Sequence, residues 1–244
     1  MKKSLVLIAV FFCFFISVHA QSDLLKSVTK AVGGNNSNAG AGLSSDEIVS
    51  GLKEALTLGT QKSASKLSAA DGFFKDAVVK VLMPPQAQKV EKTLRSVGMG
   101  SIVDDAILSM NRAAEDASKS AAPIFVDAVK KMSINDALGI LRGPDTAATS
   151  YLKKTTSPQL TTAFKPVIDA SLAKTDATKY WKTVFDTYNN LPTTFKKVDS
   201  DLSSYVTQKA MAGIFYYVAQ EEAKIRKDPA AQATDLLKKV FGGK

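Results

Sequence analysis

The segment LSSYVTQKAMAGIFYYVAQEEAKIR, Leu202 to Arg226, decides the fold. Between Ala210 and Ala219 it carries no charged residue, so every side of a helix there is apolar or small. A helix that is hydrophobic all round needs cover on every side. The run is too short to cross a bilayer, which takes about 20 residues. Gly213 offers a point of close approach, and Tyr216 and Tyr217 can bury their rings while keeping hydroxyls for partners. The segment reads as the buried central helix, spanning about residues 202–227, of an all-α protein: a single multi-helix bundle with no sheet.

Working outward, helix signals recur along the chain. Ser44-Ser45-Asp46-Glu47 has capping-box spacing and precedes Ile48, Leu52, Ala55, Leu56 and Gly59 at helical intervals. Pro84-Pro85 breaks the chain before a helix over Gln86–Val97, which Gly98-Met99-Gly100 ends. Val103, Ile107, Met110, Ala114 and Ala117 form the seam of a third helix, Pro123 opens a fourth, and Ser133 caps a short fifth. Ser157-Pro158 reads as a further helix start, with Pro166 kinking or splitting the segment that runs to Ala173. Tyr180, Trp181, Val184, Phe185 and Tyr188 mark an aromatic-rich helix. No stretch alternates with period two.

The amino terminus reads as an address. Lys2-Lys3, the apolar run Leu5–Val18 and Val18-His19-Ala20 before Gln21 describe a signal peptide of residues 1–20, cut after Ala20. Residues 21–42 then hold a short helix and a flexible Gly/Asn linker, and residues 43–244 the helical domain. The expected location is periplasmic or secreted, with no transmembrane span left after cleavage. Processing would leave 224 of the 244 residues and remove Cys13 and His19, the only cysteine and histidine. The formal charge would fall from +9 to +7, because Lys2 and Lys3 depart and no acid does. The basic excess is lysine, spread along the chain, without the dense aromatic-interleaved patch of a nucleic-acid binder. Weak contact with anionic envelope surfaces is the most that such a charge implies.

Four strings now carry a resemblance: MNRAAE (Met110–Glu115), IFVDAVKKMSINDALGILRGPDTAATSYLKKTTSPQL (Ile124–Leu160), YVTQKAMAGIFYYVAQEEAKIRKDP (Tyr205–Pro229) and TDLLKKVFG (Thr234–Gly242). Together they resemble the bacterial exported domain-of-unknown-function family 4197, over about Leu43 to Gly242. The resemblance implies an all-helical exported bacterial domain and brings no catalytic residues with it.

A mature chain without His or Cys has no Ser-His-Asp or Cys-His catalysis and no ordinary zinc, copper or haem site. Phosphate-binding glycine loops are missing, and the Ser-x-x-Lys spacings at Ser27–Lys30, Ser50–Lys53 and Ser63–Lys66 lack the partner motifs of penicillin-binding enzymes. Asp199-Ser200-Asp201 opens like a calcium loop but has Ser204 and Ala210 where Gly and Glu belong, so helix capping explains it better. No cofactor and no metal are expected.

Two polar clusters remain as candidate ligand sites: Asn111, Arg112 and Glu115, and Glu221, Glu222 and Arg226, with Tyr188 and Tyr217 as walls. Structural ion pairing is the plainer reading of both. The leading expectation is a non-enzymatic protein binding an unidentified envelope ligand or protein. The alternatives are a hydrolase using Glu221, Glu222 or Glu115, and a carrier of apolar ligands or lipids.

Overall fold

The first helix, α1 (Ser45–Ser68), starts where its capping box places it: Ser44 Oγ accepts from the Glu47 amide while Glu47 accepts from the Ser44 amide. In this computed structural model, which describes residues 44–175, 181–182, 190, 201–228, 231–232 and 234–241, the chain then runs through an irregular connection to a 3₁₀ turn at Pro85–Ala87. There follow α2 (Gln88–Ser96), α3 (Gly100–Ser118), α4 (Ala121–Lys131), α5 (Ile134–Arg142), α6 (Ala147–Leu172), α7 (Leu202–Lys227) and α8 (Asp235–Phe241). Among the described residues there is no strand. The signal-peptide and linker segments and Tyr188 lie outside the described residues.

α7 packs against α6, α1 and α3, and α6 also covers α3 and α4. The core between them holds Leu52, Leu67, Met110, Phe125, Phe164 and Ile214. Gly213 works as its sequence suggests, since a Cβ there would lie 2.6 Å from Phe73 Cε1, and Phe73 is fully buried. The predicted α3 seam (Val103, Ile107, Met110, Ala114 and Ala117) is buried throughout. α7 and α6 run antiparallel, with Glu222 bonded to Thr149 at one end, Thr161 to Met211 further along, and Asp201 to Lys165 at the other end.

Four expectations need correction. The cover on α7 is incomplete: Ala212, Gln220 and Tyr216, the last 38% exposed, form a strip open to solvent. α6 is one helix from Ala147 to Leu172, neither starting at Pro158 nor splitting at Pro166. Both prolines sit on its exposed side, where carbonyls freed of their amide partners can bond water. Its inner side supplies the continuity, with Ala148, Leu152, Thr156, Leu160, Phe164, Ile168 and Leu172 all buried. A four-residue step overshoots a helical turn by about 40°, so this stripe winds around α6 and meets successive neighbours. Lastly, α2 begins after a 3₁₀ turn, and α4 begins two residues before Pro123, which falls in the first turn where no amide donor is needed.

Candidate functional site

The α3 cluster fastens the connection between α1 and α2. Glu115 is buried and its Oε1 accepts from the Phe73 and Phe74 amides, both at 3.1 Å, while Oε2 accepts from Arg112 at 2.6 Å. Arg112 also reaches Asp71 at 2.7 Å, a residue held at φ +67°. Asp tolerates this left-handed conformation better than most residues. Asn111, fully buried, accepts from the Val81 amide and donates to the Val81 and Ile107 carbonyls. An irregular segment must have its buried amides satisfied from elsewhere, and α3 supplies the acceptors.

The α7 cluster performs the same service for a helix end. α6 has no side-chain cap of its own at Thr146. Instead Glu222 reaches across to accept from the Ala148 and Thr149 amides at 3.0 and 2.8 Å, and from Thr149 Oγ1 at 2.7 Å. A carboxylate at this end also meets the positive pole of the helix dipole. Arg226 donates to Glu222 at 3.1 Å and to the Ile140 carbonyl at 2.9 Å, tying α7 to α5. Glu221 turns elsewhere, toward Lys62 on α1 at 3.1 Å and Lys224 at 2.8 Å. Burial pushes the Glu221 carboxyl up, but the two lysines outweigh it and hold it below the usual range.

Tyr217 joins neither cluster. Its hydroxyl donates a short bond to Asp76, and its ring lies under Lys66 Nζ at 3.9 Å. Burial raises the tyrosine, and the Asp76 bond adds to the rise. Asp76 is pushed up by burial but ends below its ordinary value, because Tyr217, the Val78 and Val79 amides and Lys66 all favour the carboxylate. Within the predicted clusters the structure bonds Arg112 to Glu115 and Arg226 to Glu222, whereas Asn111 bonds Val81 and Ile107 and Glu221 leaves its group for Lys62 and Lys224. The first cluster serves residues 71–81 and the Glu222–Arg226 pair residues 140–149.

A surface apart from both polar clusters lies on the outside of the α6–α7 pair. It is a groove of about 610 Å³, with Thr149, Ser150, Lys153 and Thr161 on the α6 wall. Gln208, Met211, Ala212, Phe215 and Tyr216 line the α7 wall. Phe215 anchors its floor, packed edge-on against Phe125 at 5.8 Å, and Tyr216 stands edge-on to Tyr217 at 5.2 Å. No carboxylate lines it. A sequence signal existed: α6 has no Asp or Glu from Ala147 to Ile168, and α7 none from Leu202 to Gln220. Among the described residues, no group of three or more His, Cys, Asp or Glu is placed to hold a metal, and no helix is long and apolar enough to cross a membrane.

Residues 42–242 match the family described as protein of unknown function, DUF4197. Comparison with curated proteins gives no match, and neither does comparison with solved structures. With every described helix inside the matched span, the chain belongs to the DUF4197 family.

Proposed function

We propose that this chain is a non-enzymatic binding protein of the bacterial cell envelope, with the α6–α7 groove as its binding surface. The groove carries the reading, because it combines an apolar floor, a row of hydroxyls and a lysine without an acid among them. Ligand sites have this make-up, mostly apolar with a few convergent polar groups, and this volume falls in their usual range. The envelope location rests on the basic, apolar and small-residue pattern of residues 1–20.

The partners of the acids favour binding over hydrolysis. Acid–base chemistry by two carboxyls needs both in one cavity with pKa values pushed apart. Glu115 faces the 73–74 amides, Glu221 faces lysines, and Glu222 caps α6. Thr149 is bonded to Glu222 and lines the groove, so the Glu222–Arg226 pair shapes one end of the proposed site. The space beside Glu222, Ile225 and Phe241 holds only about 10 Å³, no more than a water, so that end of the pair is packed rather than open.

The test is a photo-crosslinking residue placed at Ala212 in intact cells, with Lys92 on the exposed side of α2 as control. A discrete adduct at Ala212 that is absent at Lys92 is expected, whatever its chemical class. Equal labelling at the two positions overturns the proposed surface.

A further inference from the structure

The shape and charge of the groove point to one class of occupant. It is the outer valley of two antiparallel helices, and its lining recurs at helical steps: Gln208, Ala212 and Tyr216 on α7, Thr149 and Lys153 on α6. From Thr149 to Thr161 the valley runs about 18 Å, the length of a 12-residue helix. Ridges of a third helix fit such a valley, and the small side chain of Ala212 leaves room for the approach. Met211 adds a flexible apolar contact of the kind that helix-binding grooves use.

The charge is one-sided. Lys153, Lys154 and Lys209 make no ion pair with any described residue, whereas Lys165 at the far end of α6 pairs with Asp169 and Asp201. No carboxylate lines the groove, and Glu222 at its end is turned to the α6 amides, so nothing within the groove neutralises Lys153. An acidic partner would supply what is missing and would be steered in by it.

Resting on the binding role above, we propose that the α6–α7 groove receives an acidic amphipathic helix of a partner protein. Its apolar stripe lies on Met211, Ala212 and Tyr216, and its carboxylates face Lys153 and its neighbours.

The test uses the full chain, isotope-labelled, and two helical peptides of about 14 residues with one shared Leu/Ala stripe. One peptide has glutamates on its polar side and the other lysines. Titrated to about 1 mM, the Glu peptide should give saturable shifts at Met211, Ala212 and Tyr216, and the Lys peptide should bind at least about tenfold more weakly. Lys153→Glu should narrow or reverse that preference with the fold unchanged by circular dichroism, and Ala212→Trp should abolish binding of both. Absence of saturable shifts, equal response to the two peptides, or shifts elsewhere on the surface overturns the inference. Vesicles containing phosphatidylglycerol form the third arm. Groove shifts with vesicles and none with the Glu peptide would replace the helix by a lipid surface, yet leave the binding role standing. The Ala212 crosslink tests that role separately.

Discussion

Replacing Glu222 is the sharpest probe of how the domain is held together. The side chain is almost wholly buried and accepts from the Ala148 and Thr149 amides, the Thr149 hydroxyl and Arg226. The Arg226 side chain is only 9% exposed. Glu222→Ala therefore strands a buried guanidinium and leaves two first-turn amides of α6 without an acceptor. Breaking a buried pair by removing one partner costs about 3–5 kcal/mol, much of it the unpaired charge left behind. Arg226→Met removes the cation and its bond to the Ile140 carbonyl instead, but Glu222 retains three donors from α6, so about 1.5–3 kcal/mol is expected for the lost charge-assisted bonding. Glu222→Gln falls between the two, since its one carbonyl oxygen can replace either Oε1 or Oε2 while the NH₂ faces the donors of the other. Urea unfolding followed by circular dichroism measures the midpoint shift at constant slope. The expected order of loss is Glu222→Ala, then Glu222→Gln, then Arg226→Met. If Arg226→Met costs as much as Glu222→Ala, or Glu222→Ala costs under about 1 kcal/mol, the trans-capping role is wrong.

Other parts of the structure make equally definite demands. Gly213→Ala drives a methyl into the buried Phe73 ring and should cost about 1–3 kcal/mol in the same unfolding assay, whereas Gly139→Ala, with nothing within 4 Å, should be neutral or slightly stabilising. Asn111→Ala leaves the buried Val81 amide and carbonyl unpaired, an expected loss of about 2–3 kcal/mol with faster hydrogen exchange confined to the residues around Val81. Asp76 and Glu221 hold their protons less tightly when folded than when unfolded. Their contribution is therefore complete above the ordinary carboxylate range near pH 4 and is lost as pH falls through their lower folded values. Melting temperature should drop steeply below about pH 4, and Asp76→Asn should flatten that drop while lowering stability at neutral pH.

How far the sequence could be read depended on whether a feature was local. The capping box at Ser44, the cap at Ser133 and the α3 seam involve residues three or four apart, so local sequence alone placed them. Asp201 caps α7, as the Asp199-Ser200-Asp201 string suggested. The continuity of α6 was hidden because it depends on which side of the helix Pro158 and Pro166 occupy, and only tertiary packing fixes that. Asn111, Glu115 and Glu222 stood out as polar residues beside apolar seams. Their partners lie 30, 42 and 74 positions away, and no spacing rule reaches that far. The open strip on α7 was obscured by chemistry, since Ala and Tyr serve equally well in a core and at an interface.

The two polar clusters and the groove are linked by the way the acids are distributed. Glu115 and Glu222 are drawn inward because an irregular connection and an uncapped helix start leave amides that need acceptors. Acids on the outer side of α6 or α7 would have paired with Lys153, Lys154 or Lys209 at little cost, since exposed helix pairs at four-residue spacing are mildly stabilising. None is present along Ala147–Ile168 or Leu202–Gln220, although Glu and Asp support helices elsewhere in the chain. Burial explains the omission on the inner sides of both helices but offers no reason for it on the outer sides, where a surface acid would be mildly stabilising. A requirement to keep the groove attractive to an acidic partner does offer one. The same reasoning predicts that Gln208→Glu, a single outward acid on the groove wall, leaves the unfolding midpoint unchanged or slightly raised while weakening the Glu-peptide contact. A loss of stability without a change in binding would show instead that the omission serves the fold.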